Sequence, residues 1–228
     1  MSKLVKRLRQ VCECSSPPMG FKKGAAEPAR QMLLIASLPR GKKGMVAGLN
    51  LAELDGLLLH GSDLSDSPAL QQISAAAGDT PWGAWLGEGN PPDLPQFAEA
   101  GGDFVALESP LAPAGLLQED VGKILKADLT RQRFLLSAVS DLPIDAVIME
   151  LGGGKGPLTI ADMMHCQLLS GLLDKPLLVT PHQELSDKEI RLMCYMGIAG
   201  VVVEAGDEKG KEVLSRTFQL IRDLPPNT

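Results

Sequence analysis

The chain has 228 residues, of which 44% are apolar and 22% charged, with a net charge of −6 at neutral pH. That length supports a sizeable core in one large domain or two small ones, and the composition is ordinary for a globular protein. No apolar run approaches the roughly 18 residues of a membrane span, no secretory leader is visible, and four cysteines (Cys12, Cys14, Cys166, Cys194) make no disulfide framework, so a reducing, cytoplasmic setting is expected.

Charge is unevenly spread. Residues 1–30 hold seven Lys/Arg against Glu13 and Glu27, a net of +5, which leaves −11 for the rest. An acidic body argues against a nucleic-acid-binding core, because phosphate contacts need a basic face. Residues 1–14 read as a short helix with Leu4, Val5, Leu8 and Cys12 on one stripe. Ser15-Ser16-Pro17-Pro18 breaks it, and a glycine- and lysine-rich approach segment follows. The segment 1–30 is expected to be a basic arm packed loosely on the body, with a membrane-surface or partner-docking helix as the sharper alternatives. Cys12-x-Cys14 lacks the second ligand pair that a zinc site needs.

From residue 31 to 228 short apolar runs alternate with longer helical patterns. The runs are Met32–Leu38, Gly56–Leu59, Trp82–Gly87, Phe104–Leu107, Ile124–Ala127, Ala146–Met149, Leu177–Val179 and Gly200–Val203. They are too short for helices and are bounded by turn residues, so they read as buried strands. Between them, Asp66-Ser67-Pro68 opens a helix over Ala69–Ala77, Thr159 or a neighbour opens Ile160–Leu173, and Ser186 with Glu189 forms a capping box. Thr130–Ser140 and Glu208–Arg222 are further helices, and the proline-rich stretches after Glu88 and Ser109 allow only short ones. Repeated strand–helix units mean parallel strands with right-handed crossovers. Eight of them predict α/β architecture, a single eight-stranded parallel β/α (TIM-type) barrel, with an open doubly wound sheet as the rival.

A shared interval marks where the site should lie. Asp55 precedes His60 by five residues, as Gly83 does Glu88, Asp103 Glu108, Lys123 Asp128, Asp145 Glu150 and Ala199 Glu204. Side chains alternate faces along a strand, so one offset puts these groups on equivalent faces. Facing the helix layer they would be buried charges costing several kcal/mol each. The mouth at the C-terminal strand ends is where such groups are tolerated, and where barrel active sites sit.

Carboxylates crowded at one mouth repel, so some must protonate, pair with a cation or bind a metal. Glu108, Asp128 and Glu150, expected on adjacent strands, are the candidate metal ligands, with Mg²⁺ or Mn²⁺ the implied ion because the donors are hard oxygens. The acids ending strands three, four and five (Glu88, Glu108, Asp128) resemble the ligand placement of enolase-superfamily barrels, whose capping domain has no counterpart in these residues. Any one of these acids could instead be a solvated neighbour of a helix cap. Lys126 is either a catalytic base or Schiff-base amine, or the counter-ion of the acidic ring. His60 and His182 are candidate acid/base groups or ligands, or ordinary hydrogen-bonded residues. Gly153, Gly154 and Lys155 in the glycine-rich loop after strand six could cradle a phosphate or form a lid, although the loop lacks the P-loop ending. Glu204 and Asp207 would repel phosphate after strand eight. Trp82 and Trp85 read as packing residues.

The function this pattern predicts is a metal-assisted lyase or isomerase acting on a small carboxylate or carbonyl compound. Lys126, His182 and His60 are its proton carriers, and no organic cofactor is evident. The alternative is a barrel without catalysis, serving as a small-ligand-binding or assembly module. Self-association is left open.

Overall fold

Eight strands form where the apolar runs lie: β1 Leu33–Leu38, β2 Gly56–His60, β3 Trp82–Leu86, β4 Phe104–Glu108, β5 Gly122–Lys126, β6 Ala146–Glu150, β7 Leu177–Thr180 and β8 Gly200–Glu204. Each pairs in parallel with the next, and β1 closes on β8 through a ladder from Leu33↔Gly200 to Ser37↔Glu204. The sheet is therefore a closed barrel and not an open doubly wound sheet. The computed structural model describes residues 2–15, 30–64, 66–87, 93–108, 120–127, 136–151 and 158–225.

Among the described residues the helices are α1 Lys3–Ser15, α2 Ser67–Ala77, α3 Leu94–Glu99, α4 Ile160–Leu172, α5 Asp187–Tyr195 and α6 Glu208–Arg222. Their starts follow the expected chemistry. Asp66 accepts from the Ala69 N–H at the head of α2, and Thr159 with Asp162 and Ser186 with Glu189 form reciprocal capping boxes. Of the helix expected over Thr130–Ser140, the described part is a 3₁₀ turn at Leu136–Val139. Residues 128–135, and the proline-rich stretch after Ser109, lie outside the described residues. β5 begins two residues before its apolar run, because Gly122 pairs with Phe104 and the ladder does not depend on the intervening Lys123 being apolar.

Two apolar layers result. One lies between sheet and helices, with Leu34, Leu57, Val105, Val147, Val179 and Val201 facing outward. The other fills the barrel, where Leu33, Ile35, Leu58, Phe104, Ile124, Ile148, Leu178 and Val202 face inward. The inner layer is completed by Leu4, Leu8 and Val11 of α1.

α1 is thus no loose arm. Its apolar stripe is sunk into the N-terminal opening of the barrel, with Leu4 and Leu8 at 0% exposure. The opening accepts it because the strand starts there are glycine. A Cβ on Gly122 would lie 2.6 Å from Val5 Cγ2, and one on Gly56 would lie 3.3 Å from Leu4 Cδ1. Three aspartates preceding β2, β4 and β6 hold its polar groups. Asp103 accepts from Ser2 Oγ (2.7 Å) and from the backbone N–H groups of Lys3 (2.6 Å) and Leu4 (2.9 Å), satisfying donors that a helix start leaves free. Arg9 donates to Asp145 (3.1 Å), and Arg7 donates to the Asp55 carbonyl (2.9 Å). Asp103→Ala should lower the unfolding free energy by about 1–2 kcal/mol, the usual worth of such a cap. Denaturant midpoints of wild type, Asp103→Ala and Asp103→Asn check this, with Asn retaining part of the stability.

Candidate active site

Five strands end in an inward-facing titratable side chain at the C-terminal mouth: His60 on β2, Glu108 on β4, Lys126 on β5, Glu150 on β6 and Glu204 on β8. Strand parity explains the placement, since Leu58, Ala106, Ile124, Ile148 and Val202, two residues earlier, belong to the barrel interior. The mouth therefore has charged walls above an apolar floor, a setting in which Coulomb interactions are stronger than in bulk water.

At its centre Glu108 and Lys126 are direct partners in the ladder between β4 and β5. Lys126 Nζ lies 2.8 Å from Glu150 Oε1 and 3.5 Å from Glu108 Oε1. It also sits 5.1 Å from the centroid of the Trp85 ring, within cation–π range. Burial works against its charge, but the hydrogen bond and charge of Glu150, followed by those of Glu108, outweigh it. The amine's pKa is raised above the ordinary lysine value. At neutral pH Lys126 is an ammonium ion. That direction favours the counter-ion reading of Lys126 over a neutral catalytic amine.

Two of the three expected metal ligands, Glu108 and Glu150, thus share the Lys126 ammonium. The third, Asp128, lies outside the described residues, as do Glu88 and the loop residues Gly153, Gly154 and Lys155. Among the described residues no group of three His, Cys, Asp or Glu side chains could hold a metal ion.

The histidines stand apart from this pair of acids. His60 Nδ1 is 2.9 Å from Ser62 Oγ and 3.4 Å from the Ser62 backbone nitrogen. His182, after β7, lines a neighbouring cleft of about 460 Å³ with Glu204, Asp207 and Lys209. Beside it the N-terminus of α6 is closed to an outside anion. Asp207 accepts from the Gly210 N–H at 2.7 Å, and Glu208 occupies the first turn.

A wider groove of about 710 Å³ opens at the opposite end, between α1 and the C-terminal part of α4. It borders Arg9, Cys12 and Asp145, which belong to the attachment of α1, and contains none of the strand-end groups of the mouth. Burial, with a smaller contribution from Glu13, pushes the Cys12 thiol above its ordinary pKa, which makes it a poor nucleophile.

Trp85 packs against the interior apolar cluster, as a packing reading expects, and its ring also lies beside Lys126 at the mouth. Trp82 also packs, edge-on to Phe97 with ring centroids 5.0 Å apart. Trp85 follows Gly83 by two residues and pairs with His60 in the ladder, so strand parity was the signal that places it inside.

Fold and site together define a class: a closed (β/α)8 barrel carrying its ionisable groups at the C-terminal mouth. No protein-family model and no curated protein matches the sequence. Solved structures do match in fold. The tryptophan synthase α-subunit of Pyrococcus furiosus is similar at 14% identity with a TM-score of 0.61, over 84% of this chain and 97% of that one. The YdjI aldolase of Escherichia coli K12 is similar at 9% identity and a TM-score of 0.61, over 99% and 98%. Thiamine phosphate pyrophosphorylase of P. furiosus is similar at 10% identity and a TM-score of 0.58, over 84% and 96%. These neighbours are barrel enzymes, and at such identities the likeness is one of fold. No described helix is long and apolar enough to cross a membrane.

Proposed function

We propose that the chain is a lyase acting on a small carbonyl or carboxylate compound at the C-terminal mouth, with Lys126 supplying the positive charge that the sequence suggested a Mg²⁺ or Mn²⁺ ion would bring. The observation that carries this reading is the Lys126 ammonium, 2.8 Å from Glu150 and 3.5 Å from Glu108 over an apolar floor. A fixed cation beside two carboxylates can stabilise an enolate-like oxyanion while a neighbouring carboxylate takes and returns a proton. Fold neighbours that include an aldolase are compatible with it. His60, at the end of β2, and His182, after β7, serve as secondary contacts for substrate.

A thermal-shift screen of 2-oxo acids and hydroxy acids, run with and without Mg²⁺ or Mn²⁺, tests the reading, because a ligand specific for the native state raises its stability by mass action. At least one organic acid should raise the Tm of wild type, and Lys126→Met should abolish that rise. Stabilisation of wild type by Mg²⁺ or Mn²⁺ alone, lost in Glu108→Gln, would reinstate the metal. An organic-acid response that survives Lys126→Met would remove Lys126 from the site.

A further inference from the structure

α4 links β6 to β7 and has two unlike faces. Asp162, Cys166 and Leu169 are buried on one of them. On the opposite face, by the helical period, stand Ile160, Met164, Gln167 and Gly171, all exposed. Ile160 is 77% and Met164 67% exposed. The helix contains no Lys, Arg or Glu, and its one Asp is buried in the capping box with Thr159. Its outer face is therefore apolar and uncharged, whereas α5 and α6 expose Asp187, Lys188, Arg191, Glu208 and Glu212. The other large apolar side chains exposed among the described residues are Leu142, Leu172 and Tyr195. They belong to the same sector, in the approach to β6, at the end of α4 and at the end of α5. At about 150–250 Å² for a fully exposed large side chain, these five leave on the order of 500 Å² open. Each partner in a standard interface gives roughly 800 Å².

Gly171 has no reason within its own chain. Its φ is not positive, so the backbone does not call for glycine. A Cβ there would meet nothing within 4 Å, so packing does not call for it either. Glycine in a helix is unfavourable beside alanine. What it provides is a notch in the outer face, on the same side of the helix as the projecting Ile160. A projection and a notch on one surface suit a two-fold interface, in which a patch meets its own copy. Two α4 helices laid antiparallel, with the axis level with His165 and Cys166, set Ile160 of each copy against Gly171 of the other. That arrangement also brings opposite helix-dipole ends together and buries no like charges. A lipid surface fits less well, because membrane-surface helices carry Lys and Arg beside the apolar face and α4 has neither. A strongly charged partner would find no counter-charge on it.

We propose that the outer face of α4 is the interface of a homodimer, in which Ile160 of each copy enters the notch that Gly171 leaves in the other. Met164 lies beside Gln167 at the centre. Leu172, on the flank of the helix, falls at the rim, where truncation costs little. The interface is independent of the reaction at the mouth.

Sedimentation equilibrium of the full chain over a range of concentrations tests this. The proteins are wild type, Met164→Lys, Gly171→Leu and the double variant Ile160→Ala/Gly171→Leu, with Gln72→Lys on the exposed side of α2 as control. All these positions are exposed, so the variants should fold, and circular dichroism checks that they do. Wild type and the control should dimerise in the micromolar range or tighter. Met164→Lys should weaken the dimer about a hundredfold, because it carries two unpaired ammonium groups into the interface. Gly171→Leu should weaken it about tenfold, although it adds apolar surface and fits open space in the monomer. The double variant should recover part of that loss, since projection and notch have changed places. A wild type that stays monomeric, a dimer unmoved by Met164→Lys, or one tightened by Gly171→Leu overturns the proposal. Binding of a monomeric wild type to phosphatidylcholine vesicles would give the face to a lipid surface instead.

Discussion

Leu8→Ala is expected to lower the unfolding free energy by about 2–5 kcal/mol, the range for emptying a fully buried leucine site. The size follows from where α1 sits. Leu8 is completely buried and belongs to the same apolar cluster as Phe104, Ile124 and Ile148 in the barrel interior. Truncation leaves a cavity at the bottom of a closed barrel, whose hydrogen-bonded wall cannot collapse to fill it. Leu172→Ala is the control. That side chain is 44% exposed on α4, and its loss should shift stability by no more than about 0.5 kcal/mol. Urea unfolding of the two variants beside wild type is the measurement. A Leu8→Ala effect as small as the control would mean that α1 does not plug the barrel in solution.

Lys126→Met should reduce turnover by about 10²–10³, the usual consequence of removing one preorganised charge from a site of this kind. Its effect on stability should be smaller and pH-dependent. Lys126 is 27% exposed and its partners Glu108 and Glu150 are 28% and 47% exposed, so solvent screens the pair and the change at neutral pH should be about 1 kcal/mol or less. The sign follows from linkage. The folded pKa of Lys126 is raised by its two acids, so the ion pair stabilises the fold fully below the ordinary lysine pKa of 10.5. That stability is lost as pH rises through the higher folded value. The gap between wild type and Lys126→Met should therefore be present at neutral pH and close on the alkaline side. Melting curves of both proteins from mildly acidic to strongly alkaline pH check this, and parallel curves would reject the ion pair.

Much of the fold was legible because its signals are local. Runs such as Phe104–Leu107 and Gly200–Val203 are too short for anything but strands, and helix starts at Asp66, Thr159 and Ser186 follow from hydrogen bonds within four residues. The inward placement of His60, Glu108, Glu150 and Glu204 was legible for the same reason, since parity counts along one strand. The docking of α1 was not. Its stripe of Leu4, Val5 and Leu8 shows that a face is buried but not against what, and the glycines and aspartates that receive it lie about 50 to 140 positions away. The asparagine-free row Asp55, Asp103, Asp145 stood in the same five-residue interval as the mouth acids, so the lower end of the frame carried a signal of its own. The sharing of Lys126 was equally non-local, since the register Glu108↔Lys126 is what brings the amine within reach of both Glu108 and Glu150. The histidines show the limit of parity, because it places them at the mouth while the loops after β2 and β7 decide which way they face.

The central claim is that Lys126 is a permanent cation shared by Glu150 and Glu108. NMR titration of its side chain, labelled at Cε and Nζ and assigned by the signal missing in Lys126→Met, measures this directly. The account predicts a single ionisation above the ordinary value of 10.5, moving down towards that value in Glu150→Gln. An amine that loses its proton near neutral pH, or one whose titration is indifferent to Glu150→Gln, would contradict it.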